Sequence, residues 1–404
     1  MTDAAFLPSI AAALERCATR TPERTAYVFL AEGDEEQERL TYAALDTQAR
    51  AIAAALRQTC EPGERALLLY PPGLDFIAAF FGCLYAGVIA VPAYPPRSPR
   101  SLPRLQAILA DARPAVVLAS AASRQRSLNW LSRMPESAVL PWITSDEIEP
   151  APAGWEPTPP GGDAVAFLQY TSGSTSTPKG VMVTQANLAH NQWVIQEACG
   201  HSEDSVFVSW LPPYHDLGLI GNLLQATWVG APCVLMAPVA FLQSPSRWLR
   251  AISRYRGTTS GGPNFAYDLC VRRVPPAEIE KLDLSSWQIA FNGAEPVREE
   301  TLARFAETFA PAGFQVGAMY PCYGLAEATL MVSGGRPGEQ TVVREIDGRR
   351  LVGCGRVLSA LEVAIVEPGS GTACSPGTVG EIWVAGDSVA QGYWNRPEET
   401  AESF

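Results

Sequence analysis

Seven small residues, Thr171, Ser172, Gly173, Ser174, Thr175, Ser176 and Thr177, run together in this chain and close on Pro178, Lys179 and Gly180. They stand between two apolar segments, Ala164–Tyr170 and Val181–Thr184. Hydroxyls and backbone N–H groups packed this densely can converge on an anion, and Lys179 adds a positive charge. A flexible Ser/Thr linker shares the composition, but it has no reason to sit between two strands and end on Pro-Lys-Gly. The segment is therefore read as a phosphate-binding loop. The string G-x-x-x-x-G-K-[ST] does not occur, which disfavours an ordinary P-loop ATPase or kinase.

The elements around this loop read as α/β. Short apolar runs at Arg65–Tyr70, Ala115–Ala119, Ala164–Tyr170, Val181–Thr184, Val206–Trp210, Cys233–Met236 and Gln288–Asn292 alternate with helical windows such as Ser101–Ala112. That alternation favours a mainly parallel sheet. After about Gly335 the pattern changes: Leu351–Gly355, Leu361–Val366 and Glu381–Ala385 follow one another without a helix, and the turn Gly369–Gly377 makes a hairpin of the last two. The division expected is 1–335 for the α/β part and 336–404 for a small antiparallel sheet or barrel. Pro150–Gly162 reads as a surface connector.

Composition narrows the function. The 404 residues are 47% hydrophobic and 18% charged, with a net charge of −12. This suits a globular core and makes nucleic acid an unsuitable main partner. Nine cysteines without a C-x-x-C and only three histidines suggest neither a disulfide framework nor a His/Cys metal centre. The N-terminus lacks a signal-peptide layout, so a reduced, cytoplasmic protein is expected. Phe76–Val91 is uncharged but shorter than the roughly 20 residues a bilayer needs. It is read as a buried helix turning into a buried strand, with no stable membrane insertion.

Tyr170–Gly180, YTSGSTSTPKG, resembles the phosphate loop of the adenylate-forming enzymes, a family that includes acyl-CoA synthetases, luciferases and peptide-synthetase adenylation domains. WLPPYHDLG (210–218), GGPNFAYDLC (261–270), FNGAEP (291–296), YPCYGLAEATL (320–330) and EIWVAGDSVAQGYWNRPEET (381–400) follow in the family's order. Their wording is most similar to the fatty acyl-AMP ligase branch. The resemblance implies two packed, mainly parallel sheets with flanking helices and a small antiparallel β-barrel-like subdomain. It also implies ATP and Mg²⁺ as cofactors and a fatty acid, of the long-chain kind, as substrate. The acyl-adenylate would pass to the phosphopantetheine thiol of an acyl carrier protein, often on a polyketide or peptide synthase.

Residue by residue, the resemblance places Thr171, Ser172, Gly173, Ser174, Thr175 and Lys179 on the β- and γ-phosphates. It places Glu327 on Mg²⁺, which prefers such an oxygen ligand. Tyr323, with Gly324 beside it, would stack on adenine. Gly293, Ala294 and Glu295 would line the nucleotide. His215 and Asp216 would stand on the carboxylate and adenine side of the pocket. His215 is not assigned as a general base, because a carboxylic acid is already ionised at pH 7. Trp210, Leu219, Ile220 and Phe265 are the candidates for an apolar acyl pocket. No FDxS-type string is present to hold an α-amino group, which favours a fatty acid over an amino acid.

Three departures accompany the match. The chain stops at Phe404, where the family continues into a ribose-binding aspartate, a hinge and a mobile C-terminal domain. It is therefore expected to be the N-terminal part of such an enzyme. Pro321 and Ala326 stand where Asn and Thr are common, as is usual in the fatty acyl-AMP branch. The stretch Gly334–Arg350 is short for the insertion credited with blocking coenzyme A, which keeps an acyl-CoA synthetase as the alternative. A non-catalytic acyl- or nucleotide-binding module ranks behind both.

Overall fold

The uncharged stretch beginning at Phe76 folds as helix Leu74–Ala86 followed by strand Ile89–Pro92, and every residue from Phe76 to Pro92 is buried. In this computed structural model, residues 7–96, 98–131, 140–171, 178–346, 348–358 and 360–404 are described. An all-apolar helix is stable only when enclosed on every side. From Phe76 on, helix Leu74–Ala86 meets that condition by packing on helix Tyr42–Thr59 and on strands of two separate sheets. Phe80 meets Phe167 edge-on at 5.6 Å and Phe76 meets Tyr214 at 6.2 Å.

The six-stranded sheet runs Trp142–Thr144, Val116–Ala119, Arg65–Leu68, Ile89–Pro92, Val165–Tyr170, Gly180–Thr184. All its pairings are parallel except the last. The nine-stranded sheet runs Arg356–Val357, Met331–Gly334, Met319–Gly324, Ile289–Asn292, Thr259–Gly262, Phe207–Ser209, Cys233–Met236, Thr25–Leu30, Glu36–Thr41. Its five central pairings are parallel and its edges antiparallel. One apolar core takes in residues of both sheets, including Leu68, Phe167, Val208 and Val234. The mainly parallel α/β expectation holds.

Beyond residue 335 the strands form two antiparallel hairpins, Val343–Ile346 with Arg349–Val352 and Glu362–Val366 with Glu381–Ala385. Arg356–Val357 joins the large sheet as its edge. Among the described residues, no helix is long and apolar enough to cross a membrane.

Gly324 ends strand Met319–Gly324, where it pairs with Met331 of the returning strand. A Cβ there would lie 1.7 Å from the Leu330 carbonyl oxygen, so backbone would have to move. Gly324→Ala is expected to cost on the order of 3 kcal/mol or more. Gly161→Ala, where no atom lies within 4 Å, should leave stability within about 0.5 kcal/mol. Parallel urea unfolding curves check the contrast.

Candidate active site

The phosphate loop is anchored at both ends. Strands Val165–Tyr170 and Gly180–Thr184 pair antiparallel with Tyr170 opposite Gly180, and the Thr171 N–H donates to the Lys179 carbonyl at 3.1 Å. Arg104 donates to the Tyr170 carbonyl at 3.1 Å. Ser172, Gly173, Ser174 and Thr175, together with Ser176 and Thr177, lie outside the described residues.

A third segment then joins this hairpin from 214 positions downstream of Lys179. The Met182 N–H donates to the Gly392 carbonyl at 2.9 Å and the Trp394 N–H to the Gly180 carbonyl at 2.8 Å. That pairing sets Tyr393 between two of the candidate residues. Lys179 Nζ sits 4.8 Å from its ring centroid, and its hydroxyl donates to Glu327 Oε1 at 2.6 Å. Burial, reinforced by the carboxylate of Glu327, pushes the Tyr393 hydroxyl up to about 12, so it stays a donor throughout the physiological range. Tyr393 lies within the motif 381–400, but no local pattern there marks it as a site residue.

Glu327 rides on one 3₁₀ turn, Ala326–Ala328. Its carbonyl accepts from Ala390 N–H at 2.8 Å. Among the described residues no three His, Cys, Asp or Glu side chains cluster as a metal cage. A single carboxylate suits Mg²⁺, which is commonly held by one or two carboxylates together with substrate phosphates and water.

His215 and Asp216 follow strand Phe207–Ser209 and open a short helical turn. His215 Nδ1 lies 2.6 Å from Asp216 Oδ1. So short a contact needs a proton on Nδ1, and the Leu217 N–H is left to the same carboxylate oxygen, also at 2.6 Å. Nε2 is then the nitrogen available to a ligand. The hydrogen bond donated to Asp216 raises the His215 pKa above its ordinary value, against the opposing effect of burial. The folded value exceeds the unfolded one, so the pair's stabilisation is present below about pH 6.5 and fades as pH climbs through the folded value. With three histidines in the chain, an NMR titration separates them. His215 should titrate above the usual range and His190, lowered by burial, below it, while His201 should stay neutral until about pH 3. Asp216→Asn should move the His215 curve down and leave the other two in place.

His215 and Asp216 form a wall shared by two cavities. One, of about 210 Å³, is also lined by Gly293, Ala294, Tyr323 and Gly324, at the carboxyl ends of the parallel strands where α/β sheets bind ligands. Six of the expected site residues therefore surround one space. Ala294 takes φ 65°, a left-handed conformation that a side chain makes costly. The other cavity, about 620 Å³, runs from His215 and Asp216 to Thr171 and Arg104.

Other expected residues lie elsewhere. Glu295 points away from the cavity and accepts the Phe265 N–H at 2.6 Å, at the start of helix Asn264–Arg273. The four acyl-pocket candidates do not line the apolar cavity. Trp210 is buried in an aromatic cluster, stacked on Phe241 at 4.0 Å. Leu219 and Ile220 are buried on a π-helical turn facing the core, and Phe265 is exposed. Trp210, Leu219 and Ile220 are used by core packing, while Leu217, Phe291, Tyr320 and Leu330 of the same motifs line the cavity.

The family described as AMP-binding enzyme matches residues 14–394, and the chain belongs to that family. Within it, the chain is similar to the medium-chain-fatty-acid–[acyl-carrier-protein] ligase JamA of Moorena producens, 48% identical over 406 residues, covering 94% of this chain and 69% of that one. It is 38% identical to the long-chain-fatty-acid–AMP ligase FadD32 of Mycolicibacterium smegmatis, covering 98% and 67%. A crystal structure of the fatty acyl-adenylate ligase from Legionella pneumophila, in complex with acyl adenylate and pyrophosphate, superposes with a TM-score of 0.91 at 42% identity, covering 98% and 72%.

Proposed function

We propose that this protein activates a fatty acid as its acyl-adenylate and passes the acyl group to the phosphopantetheine thiol of an acyl carrier protein. The observation that carries the reading is the juxtaposition of an anchored phosphate loop, the Lys179–Tyr393–Glu327 chain and an apolar cavity behind His215 and Asp216. A carboxylate oxygen of the fatty acid attacks the α-phosphorus of ATP and pyrophosphate leaves. The thiol then attacks the acyl carbon, and AMP leaves with the carboxylate oxygen.

No covalent enzyme intermediate is needed, so the protein's work is positioning and charge neutralisation. Lys179 and the loop hold the β- and γ-phosphates. Glu327 is the residue to hold Mg²⁺, which neutralises phosphate charge when bound. Tyr323, Gly293 and Ala294 line the nucleotide end, and His215, with Nδ1–H held by Asp216, turns Nε2 to a ligand, where it donates to an oxygen once the ring is protonated. Names of relatives such as JamA, a ligase to acyl carrier protein, support the carrier thiol as acceptor. Nine unpaired cysteines, six of them buried, support a reducing, cytoplasmic compartment. The two hairpins of region 336–404 are proposed as the small antiparallel unit, tied to the α/β part through Arg356–Val357 and Gly392–Trp394.

Supplying the protein with ATP, fatty acid and either a holo carrier protein or free coenzyme A tests the acceptor. Acyl-carrier thioester without acyl-CoA is the expected mass-spectrometric result. Acyl-CoA as the faster product would make the protein an acyl-CoA synthetase.

A further inference from the structure

The 210 Å³ cavity has a mouth and a floor of different chemistry. Its mouth is the nucleotide end at Gly293. Its floor lies toward the amino ends of the same strands, at Thr259 and Ile289, which are paired in parallel register. From Ile289 to Gly293 is four strand residues, on the order of 13 Å. Helix Gln185–Cys199 closes one side with Ile195 and Cys199, and His201 follows just after its end.

The floor is polar. His201 is only 6% exposed and lines the cavity, with Nε2 3.1 Å from Thr259 Oγ1. Its Nδ1 has no partner among the described residues. A buried polar atom left unpaired costs about 1–3 kcal/mol, so an all-hydrocarbon chain pushed against this floor leaves a cost that a polar chain end removes. Burial pushes the His201 imidazole down to about 3, so it is neutral at pH 7. A neutral ring cannot offset a buried carboxylate. A hydroxyl, which both donates and accepts, satisfies Nδ1 in either tautomer. The volume bounds the length. Mouth included, it is about 1.4 times the roughly 150 Å³ cavity that takes six-carbon benzene, so it holds at most about eight carbons.

We infer that this cavity takes a medium-length acyl chain, about eight carbons or fewer, whose far end carries an uncharged hydrogen-bonding group met by His201 and Thr259. The inference rests on the proposed function and narrows its substrate.

Thermal shift of the protein against N-acylsulfamoyl adenosines tests it, because these mimics need no turnover. The panel is hexanoyl, octanoyl, omega-hydroxyoctanoyl, octanedioyl, dodecanoyl and hexadecanoyl. Octanoyl is expected to bind at least about tenfold tighter than dodecanoyl, and omega-hydroxyoctanoyl several-fold tighter than octanoyl, on the scale of one hydrogen bond. Octanedioyl should be the weakest of the eight-carbon set. In His201→Leu the preference should invert in favour of plain octanoyl. Dodecanoyl or hexadecanoyl binding as tightly as octanoyl overturns the inference and leaves the function standing. So does a hydroxyoctanoyl-to-octanoyl ratio of one in the unmutated protein, a comparison that needs no variant to fold. Binding of none of the mimics removes the proposed function and the inference with it.

Discussion

Lys179→Ala is expected to lower fatty-acid-dependent pyrophosphate release by a hundredfold to a thousandfold, the order seen when one preorganised charge-stabilising group is removed. Lys179 is half-buried, its backbone is held by Thr171, and its ammonium lies against the Tyr393 ring. The charge is thus positioned before ATP arrives. An acyl-adenylate mimic carries no β- or γ-phosphate, so the same variant should keep its affinity for the mimic within a few-fold. This split separates a phosphate-binding lysine from one that merely holds the fold. Unchanged pyrophosphate release, or equal losses in both assays, would contradict the assignment. Lys179→Arg keeps the charge but not the compact ammonium, and it should fall between the two.

The second large effect is expected at Tyr393. Its hydroxyl holds one oxygen of Glu327 and its ring faces Lys179, so two variants divide the contributions. Tyr393→Phe keeps the ring and removes a hydrogen bond to a charged group, about 1.5–3 kcal/mol, or roughly tenfold to a hundredfold in rate. Tyr393→Ala removes both contacts and should cost more. The diagnostic readout is the Mg²⁺ requirement. With Glu327 no longer oriented, Tyr393→Phe should need several-fold more Mg²⁺ for half-maximal rate. A variant that lost only general stability would show a lower melting temperature and an unchanged Mg²⁺ curve.

The Tyr393 contacts show where sequence reading stops. The loop from Tyr170 to Gly180 was legible because its residue types state their chemistry locally and its flanking strands are apolar runs. The same holds for the hairpin ending at Ala385 and for the buried helix starting near Phe76. The joining of Tyr393 to Lys179 and Glu327 depends on backbone pairing between Gly180–Met182 and Gly392–Trp394, contacts more than 200 positions apart that no local pattern encodes. Strand Thr259–Gly262 was missed for a different reason. Ser260, Gly261 and Gly262 are poor strand formers, and Gly261 is required because a Cβ there would lie 2.1 Å from the Phe291 carbonyl oxygen. The edge hairpin Thr25–Leu30 with Glu36–Thr41 also escaped, since Glu36–Arg39 is exposed and charged.

The four apolar candidates do not line the cavity, because a motif does not show which of its apolar side chains face the core and which face a space. Trp210 and Ile220 are large and apolar, and packing used them in the core. Thr259, His201 and Cys199 reach the cavity from a strand and a helix end that only the crossover topology brings together. His201 in particular carries no sequence signal, since a single histidine after a glycine cap is ordinary.

The most direct test of the central claim follows an oxygen atom. The protein is supplied with octanoic acid labelled with heavy oxygen in its carboxyl group, Mg²⁺, ATP and a holo carrier protein, and the nucleotide products are weighed by mass spectrometry. Attack of the carboxylate on the α-phosphorus predicts AMP carrying one heavy oxygen, unlabelled pyrophosphate and an acylated carrier. ADP with the heavy oxygen in inorganic phosphate would mean attack at the γ-phosphorus through an acyl phosphate, and would contradict the account.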